Sequence, residues 1–450
     1  MRERKIFILF SLCASSLLAL GQGFSLRQCI DYAKSNNENQ KIAGYEMAVA
    51  QKKVNEQIGS MLPQIEGSAS YTDNLKLSKT MLPGELAGKP GEMIPVVFGT
   101  QHNINAGLQL TQKVFDPLFT VALKAAKVNE QYSQQSQQKM LEQTSYNVCS
   151  AYYQCLIIAK QCDKLRATLT SSKELLASTE LKYKNGIAKK IDVDKIRVSY
   201  NSTNSQLNQS ELNYKQSLNS LKFQMGMPME APIVLTDSTA TDININEAKL
   251  IINNELNVEN RIDYQLQKTN VKVQELQKRQ NMLGYLPTLN FSAGYNYNAM
   301  RKEFNFLSGG QPWFNSYNIG FSLKVPVFDG FQKKYKIAQS KINILKAQEN
   351  ARLTEQSIRV NVSNYEIQYK NAIENISIEK ENLDLAQSVY ASTQLQYNEG
   401  SSSALDLVQA ESSLRESQNN YFNKLFSLFT ARLDLEQSKG TLMNYINNFK

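Results

Sequence analysis

Met61-Leu62-Pro63-Gln64-Ile65-Glu66-Gly67-Ser68-Ala69-Ser70-Tyr71 is written a second time as Tyr285-Leu286-Pro287-Thr288-Leu289-Asn290-Phe291-Ser292-Ala293-Gly294-Tyr295. Reading outward, Val114-Phe115-Asp116 returns as Val327-Phe328-Asp329, and Leu181-Lys182-Tyr183-Lys184-Asn185-Gly186 as Leu395-Gln396-Tyr397-Asn398-Glu399-Gly400. The parts keep their order, and the offset shrinks across one loop only. A period this long is not that of a solenoid; it marks a duplicated subdomain. The expected organisation is a signal peptide over 1–21, a first repeat over 22–225, a Gly/Pro-bearing linker over 226–245, a second repeat over 246–440 and a tail over 441–450.

Each copy alternates where a strand would. Ile65, Gly67, Ala69, Tyr71, Leu75 and Leu77 share one parity against Glu66, Ser68, Ser70, Thr72, Asn74 and Lys76. Ile104, Ala106, Leu108 and Leu110 alternate with Asn103, Asn105, Gln109 and Thr111. Leu289, Phe291, Ala293, Tyr295 and Tyr297 alternate with Asn290, Ser292, Gly294, Asn296 and Asn298, and Tyr317, Ile319, Phe321, Leu323 and Val325 with Asn318, Gly320, Ser322 and Lys324. A half-buried soluble sheet and a transmembrane barrel both produce this pattern. The polar parity is mostly uncharged Asn and Ser, and Tyr, Phe and Trp313 gather at strand ends, which favours the barrel. Between the paired strands, Ser78 to Thr100 and Ala299 to Pro312 read as long polar loops.

The rest of each copy is helical. From Leu141 to Tyr183, the residues Leu141, Thr144, Val148, Ala151, Cys155, Ile158, Cys162, Leu165, Leu169, Ser172, Leu176, Thr179 and Tyr183 follow spacings of three and four without a slip, a heptad seam. In the second copy the seam reads Tyr365, Tyr369, Ala372, Ile376, Glu379, Leu383, Ala386, Tyr390, Thr393 and Tyr397. The returning seam Ile196, Tyr200, Thr203, Leu207, Ser210, Tyr214, Ser217 and Leu221 maps onto Ala410, Leu414, Ser417, Tyr421, Lys424, Leu428, Ala431 and Leu435. A helix from Pro117 to Asn185 would be about 100 Å long at roughly 1.5 Å per residue, so it needs neighbours of its own kind. Lipid tolerates no open sheet edge, and the strands of one chain are too few to close a barrel. The sequence therefore requires an oligomer, without fixing three copies.

Composition narrows the classes. A basic head, an apolar stretch from Ile6 to Leu20 and the small residues of Ala19-Leu20-Gly21 read as a secretory signal with the mature start near Gln22. Mean hydropathy of −0.42 looks water-soluble, but a barrel never shows a long apolar run. Net charge is +9, spread thinly, with no basic run for nucleic acid. Cys29, Cys149, Cys155 and Cys162 lack the spacing of a disulfide framework; Cys155 and Cys162 read as small core residues. The single histidine, His102, reads as a lumen or loop residue. No nucleophile motif, metal cluster or phosphate loop accompanies it, so neither catalysis nor a cofactor is expected.

The duplicated order, the paired Leu62-Pro63 and Leu286-Pro287, the Phe-Asp pairs, and Tyr-x-x-Gly-x(5)-Asp at each hairpin tip resemble the TolC-like outer-membrane efflux protein family, over nearly the whole mature chain. The resemblance implies a mainly α chain with a membrane β part. It implies a homotrimer with a twelve-stranded β-barrel in outer-membrane lipid, continued by a periplasmic α-helical barrel. It further implies a passive exit duct of a tripartite efflux or type I secretion system, whose tip meets a periplasmic adaptor and an inner-membrane pump. Asp192 and Asp406 then line a tip ring that gates passage, with Tyr397 holding the closed state and Ser402 and Gln409 standing where related tips carry an Arg and a second acid. Gly186, Ile187, Ala188, Gly400, Ser401 and Ser402 would meet the adaptor. From the residues alone, the two acids equally suit a capping role in the first turn of a returning helix, and Tyr397 a plain seam position. A periplasmic coiled-coil scaffold with a soluble sheet is the competing function.

Overall fold

The computed structural model describes residues 23–84, 88, 90–237 and 256–447. The expected signal peptide, Cys13 within it and the start near Gln22 lie outside these residues, as does the linker from 238 onward. The described residues fall into two compact units. Each takes matching portions of both sequence copies.

One unit, from Val49–Gln131 and Asn270–Ala347, holds the sheet. Its strands are β1 (Gln64–Asp73), β4 (His102–Phe115), β5 (Thr288–Arg301) and β6 (Phe314–Lys324), in the order β1-β4-β5-β6. All three pairings are antiparallel. The register carries the alternation across the sheet. Gly67 stands opposite Leu108, Leu108 opposite Tyr295, and Tyr295 opposite Tyr317. One residue back, Glu66 faces Gln109, Gln109 faces Gly294, and Gly294 faces Asn318. Apolar residues thus share one face, and mainly Asn, Ser and Gln the other, with Glu66, Lys113 and Lys324 toward one end. The apolar face is bare: Ile65, Tyr317, Ile319, Phe321 and Leu323 are each more than 60 % exposed, a state that water penalises and lipid does not. The exposed aromatics pair across strands, Phe291 with Phe321 at 5.2 Å and Tyr295 with Tyr317 at 5.0 Å.

The segment expected as a polar loop from Ser78 to Thr100 instead carries a hairpin of β2 (Lys79–Pro83) and β3 (Met93–Val97). Its Met81, Leu82, Ile94, Val96 and Val97 supply strand formers that the count of Gly and Pro obscured. His102 opens β4 on the apolar parity rather than the lumen parity. It is almost buried, with Nδ1 3.0 Å from the Tyr71 hydroxyl and 3.5 Å from Asp73 Oδ1.

The other unit gathers the described residues of Met1–Ala48, Tyr132–Thr269 and Gln348–Lys450. The helices are α1 (Leu26–Asn36), α2 (Glu38–Gly59), α3 (Pro117–Lys184), α4 (Lys190–Met225), α5 (Ile262–Leu283), α6 (Gln332–Glu399), α7 (Ala404–Lys439) and α8 (Leu442–Asn447). The duplication is legible in their lengths. Helices α3 and α6 are both 68 residues, α4 and α7 both 36, and α2 and α5 both 22. No described helix is long and apolar enough to cross a membrane.

In this unit the heptad seams are the buried stripes. Val148, Cys155, Cys162, Leu165, Ser172 and Thr179 of α3 are buried, as are Ile196, Thr203, Leu207, Ser210, Ser217 and Leu221 of α4. Two seam positions depart. Tyr183 is exposed, unlike its counterpart Tyr397, and Lys424 points to solvent while Phe422 and Leu425 take the buried stripe. The charge of Lys424 could not enter the core without a partner, so the neighbouring apolar pair fills the position. The main core collects Leu26, Cys29 and Ile30 of α1, Tyr152 and Tyr153 of α3, Phe429 and Leu433 of α7, and Leu442 and Ile446 of α8. The last two belong to the expected tail, which therefore docks as a helix. All four described cysteines are free and buried. Burial pushes the thiol of Cys155 up to about 11 and that of Cys149 up to about 12, so neither is a nucleophile at neutral pH.

Candidate functional site

The hairpin tips are built by two matching stop-and-start devices. Helix α3 stops at Lys184, where Gly186 adopts φ 77° and donates to the Tyr183 carbonyl at 3.0 Å, while Ile187 donates to the Lys182 carbonyl at 2.9 Å. Helix α6 stops in the same way. Gly400 at φ 80° donates to Tyr397, and Ser401 to Gln396 at 2.9 Å. A left-handed residue is what such a stop requires, and glycine takes it without a Cβ penalty.

The return helices begin with the two acids. In the second copy Ser403 and Asp406 form a reciprocal capping box: the Ser403 amide donates to Asp406 Oδ2 at 3.1 Å, and the Asp406 amide donates to Ser403 Oγ at 3.2 Å. The Ser403 hydroxyl also donates to Asp406 Oδ2 at 2.6 Å, and Ser402 Oγ lies 3.4 Å away. The Ser403 hydroxyl and amide hold the Asp406 carboxyl below the usual carboxylate range. The first copy has half of this device. The Lys189 amide donates to Asp192 Oδ2 at 3.4 Å, but a lysine side chain offers no acceptor to complete the box. The capping role is thus realised at both acids. Among the described residues no hydrogen bond or ion pair joins Asp192 to Asp406.

Tyr397 couples the two hairpins. It is nearly buried among Leu175, Ile196, Tyr390, Ala404 and Leu407. Thr179 donates to the Leu175 carbonyl, so its oxygen accepts from the Tyr397 hydroxyl at 3.2 Å. Lys182 lies over the Tyr397 ring, 5.2 Å from its centroid, and donates to the Asn398 carbonyl at 3.4 Å. Of the remaining candidates, Gly186, Ile187, Gly400, Ser401 and Gln409 are exposed, while Ala188 and Ser402 are half-buried. Ile187 is 76 % exposed, an apolar tip left largely bare by the described residues.

A polar node deeper in the same hairpins escaped the sequence reading. Glu411 of α7 is 1 % exposed. It accepts from Ser172 of α3 at 2.8 Å and from Ser199 of α4 at 2.9 Å, and Thr203 Oγ1 lies 3.2 Å from it. Arg415 is 4.0 Å from the same carboxylate and donates to Thr203 at 2.5 Å. One carboxylate therefore ties three helices, at a level where hydrocarbon seams would only touch. Tyr390, beside it, is pushed up to about 12 by burial and then by the Glu411 charge. The sequence signal was faint: Ser172 and Thr203 looked like ordinary small seam members, and Glu411 sits one residue past a seam alanine.

Two long hairpins with polar capped tips, and a sheet with one lipid-suited face, one mostly uncharged polar face and two open edges, define the chain of a membrane duct. The family described as outer membrane efflux protein has a sequence model that matches residues 29–227 and 257–441. The chain belongs to this family: it is an outer-membrane exit duct for efflux, spanning the outer membrane and reaching into the periplasm. The scaffold alternative falls with that membership. The chain is similar to the outer membrane protein TolC of Vibrio cholerae serotype O1, at 20 % identity over 93 % of this chain and 91 % of that protein. It is also similar to outer membrane protein TolC of Escherichia coli strain K12, at 22 % identity over 97 % and 86 %. Among solved structures, the outer membrane protein VceC of Vibrio cholerae superposes with a TM-score of 0.68 at 16 % identity, covering 92 % of this chain and 96 % of that one. The Campylobacter jejuni CmeC outer membrane channel gives 0.69 at 18 %, covering 93 % and 86 %. These likenesses establish the fold.

Proposed function

We propose that three copies of this chain close one barrel and work as the passive outer conduit of a tripartite efflux or type I secretion system. The observation that carries the reading is the pair of open edges, β1 and β6, on a sheet whose two faces are already sorted into apolar and mostly uncharged polar. Within lipid those edge amides and carbonyls require partners, and a further copy of the same sheet supplies them with both faces continuous. Closed at three copies, the polar faces line a wet lumen of Asn, Ser and Gln.

The tips are the gate in this proposal. Three copies of Asp406, with Asp192 near them, present an anionic ring at the periplasmic mouth, and rings of like charge select and hold ions. Tyr397 with Thr179 and Lys182 keeps the hairpins together in the closed state. Ser402 and Gln409 replace charged groups that would otherwise add closing contacts, so the gate is weaker in charge. Gly186, Ile187, Ala188, Gly400, Ser401 and Ser402 meet a periplasmic adaptor, with the bare Ile187 as its apolar anchor. An inner-membrane pump drives transport and selects cargo. The chain itself performs no catalysis and holds no cofactor.

Purified mature protein tests this directly. It is expected to need detergent, to have the mass of three chains, and to make planar bilayers conduct. A monomer that dissolves without detergent and leaves bilayers silent would overturn it.

A further inference from the structure

We propose that neighbouring copies are joined by an ion pair between Glu66 of one copy and Lys324 of the next, at the end of the sheet from which β1 starts and β6 leaves. This rests on the three-copy barrel proposed above and specifies how its seam is registered.

The argument begins with two exposed charges. Glu66 in β1 and Lys324 at the end of β6 lie on the polar parity of the two edge strands. Among the described residues neither takes part in an ion pair. The remaining polar positions of the two edges are neutral: Gln64, Ser68, Ser70 and Thr72 on β1, and Ser316, Asn318, Gly320 and Ser322 on β6. On the polar parity, one acid and one base thus stand on the two open edges, each near the same end; Asp73 of β1 lies on the other parity, opposite His102.

Geometry decides whether they meet. Straight across the chain's own sheet, the row that starts at Glu66 passes Gln109 and Gly294 and ends at Asn318. A closed barrel does not return to the same row, because strand tilt staggers it. With strands about 4.8 Å apart and a rise of about 3.3 Å per residue, a tilt of roughly 35–45° staggers twelve strands by about 12 to 18 residues. Three identical seams share that stagger equally. Each share must also be even, since an odd shift would turn apolar residues into the lumen. The share is therefore about four or six residues per copy.

A share of six sets Glu66 of the next copy opposite Lys324. A share of four sets it opposite Ser322, with Lys324 two residues away on the same face, within diagonal reach of two long side chains. The sense of the shift is fixed by the edges. Toward Lys324, a share of four pairs the whole of β1, from Gln64 opposite Lys324 to Asp73 opposite Asn315; the opposite sense sets Glu66 against Phe314 and leaves most of β1 without a partner. The apolar face agrees with either share. A share of four brings Gly67 and Ala69 against Phe321 and Ile319, and a share of six brings them against Leu323 and Phe321, small residues on one edge receiving large exposed ones from the other. Partner charge and partner volume coincide on a second copy of this chain.

Two double-cysteine variants of the full mature protein read the register. Glu66→Cys with Lys324→Cys reports a share of six, and Glu66→Cys with Ser322→Cys a share of four; the wild type controls for the native cysteines. One of the two is expected to convert most chains to covalent trimer under mild oxidation. Charge reversal reads the ion pair. Glu66→Lys and Lys324→Glu are each expected to lower the SDS-resistant trimer about tenfold at limiting concentration, through like charges at every seam, and the double reversal to restore it. A wild type that proves monomeric by mass removes the underlying barrel reading itself. A wild type trimeric by mass, in which neither cysteine pair cross-links or the double reversal is as weak as the worse single, overturns this inference alone.

Discussion

Replacing Glu411 by Ala removes the carboxylate that Ser172 and Ser199 donate to and that sits beside Arg415. Arg415 is itself only 8 % exposed, so its charge would be left buried without a counter-charge. Breaking a buried pair from one side costs about 3–5 kcal/mol. The lower end applies, because Arg415 keeps its bond to Thr203 and the serines can turn to carbonyls of their own helices. About 3 kcal/mol is a little over a hundredfold in a local opening equilibrium. Amide hydrogen exchange resolves this by segment, which suits a membrane chain of two compact units, whose global unfolding is not two-state. Exchange in α4 around Ser199–Leu207 and in α7 around Leu407–Leu414 is expected to rise by about two powers of ten, with the sheet unchanged. Glu411→Gln keeps an acceptor but loses the charge, and is expected to cost about half as much. The double change Glu411→Met with Arg415→Met removes both charges and is expected to recover most of the protection. Exchange within about threefold of wild type in the alanine variant, or a double variant no better than the single, would refute the idea that this node holds the hairpins.

At the tip, Asp406→Ala is expected to change the cation sensitivity of single-channel current and also to fray the start of α7. Unchanged current in a correctly assembled variant would leave Asp406 its capping role alone. The Asp406 carboxyl lies below the usual carboxylate range, so its contribution is full above that range and is lost as pH falls through its lowered value; exchange at Leu405–Leu407 measured from neutral to strongly acid pH checks the sign. Asp434 is opposite in sense. Burial raises it, although the Tyr146 hydroxyl at 2.6 Å lowers it. The folded chain then holds a proton that the unfolded chain has released, and stability falls as pH rises from the usual carboxylate range to the raised value. Asp434→Asn is expected to flatten that slope in melting curves between mildly acid and neutral pH. The glycine stops differ in a measurable way. A Cβ at Gly226 would lie 2.5 Å from the Asn36 carbonyl oxygen, whereas Gly400 has open space. Gly400→Ala is expected to cost about 1–2 kcal/mol from left-handed backbone alone, and Gly226→Ala distinctly more; equal losses in paired melts would show that the Asn36 contact yields freely.

How much of this could be read from residues alone varies with the range of the interaction. Strands were legible because alternation is a nearest-neighbour property, and long helices because no proline interrupts the spacing of three and four. The β2–β3 hairpin was missed since Gly84, Pro90 and Gly91 dominate a short window, while the decision rests with Val96 and Val97 finding Thr80 and Lys79 opposite. Lys424 shows the converse: the repeat offset placed it on a seam, and the packed helix turned Phe422 and Leu425 inward instead. At the tips, Gly186, Gly400, Asp192 and Asp406 were found by spacing. Whether each acid completes a box depends on one partner, Ser403 or Lys189.

By itself the sequence determined the duplication, the two-faced strands, the heptad seams and hence a chain that cannot be satisfied alone, because hydrophobic period and helix stops are local and additive along the chain. Only the tertiary structure decided which residues stand across from one another: Glu66 in a row with Asn318, Tyr397 on Thr179, and Glu411 among Ser172, Ser199 and Thr203. Those pairings join positions far apart in the chain, and they follow from strand register and helix packing, which no single stretch of sequence contains.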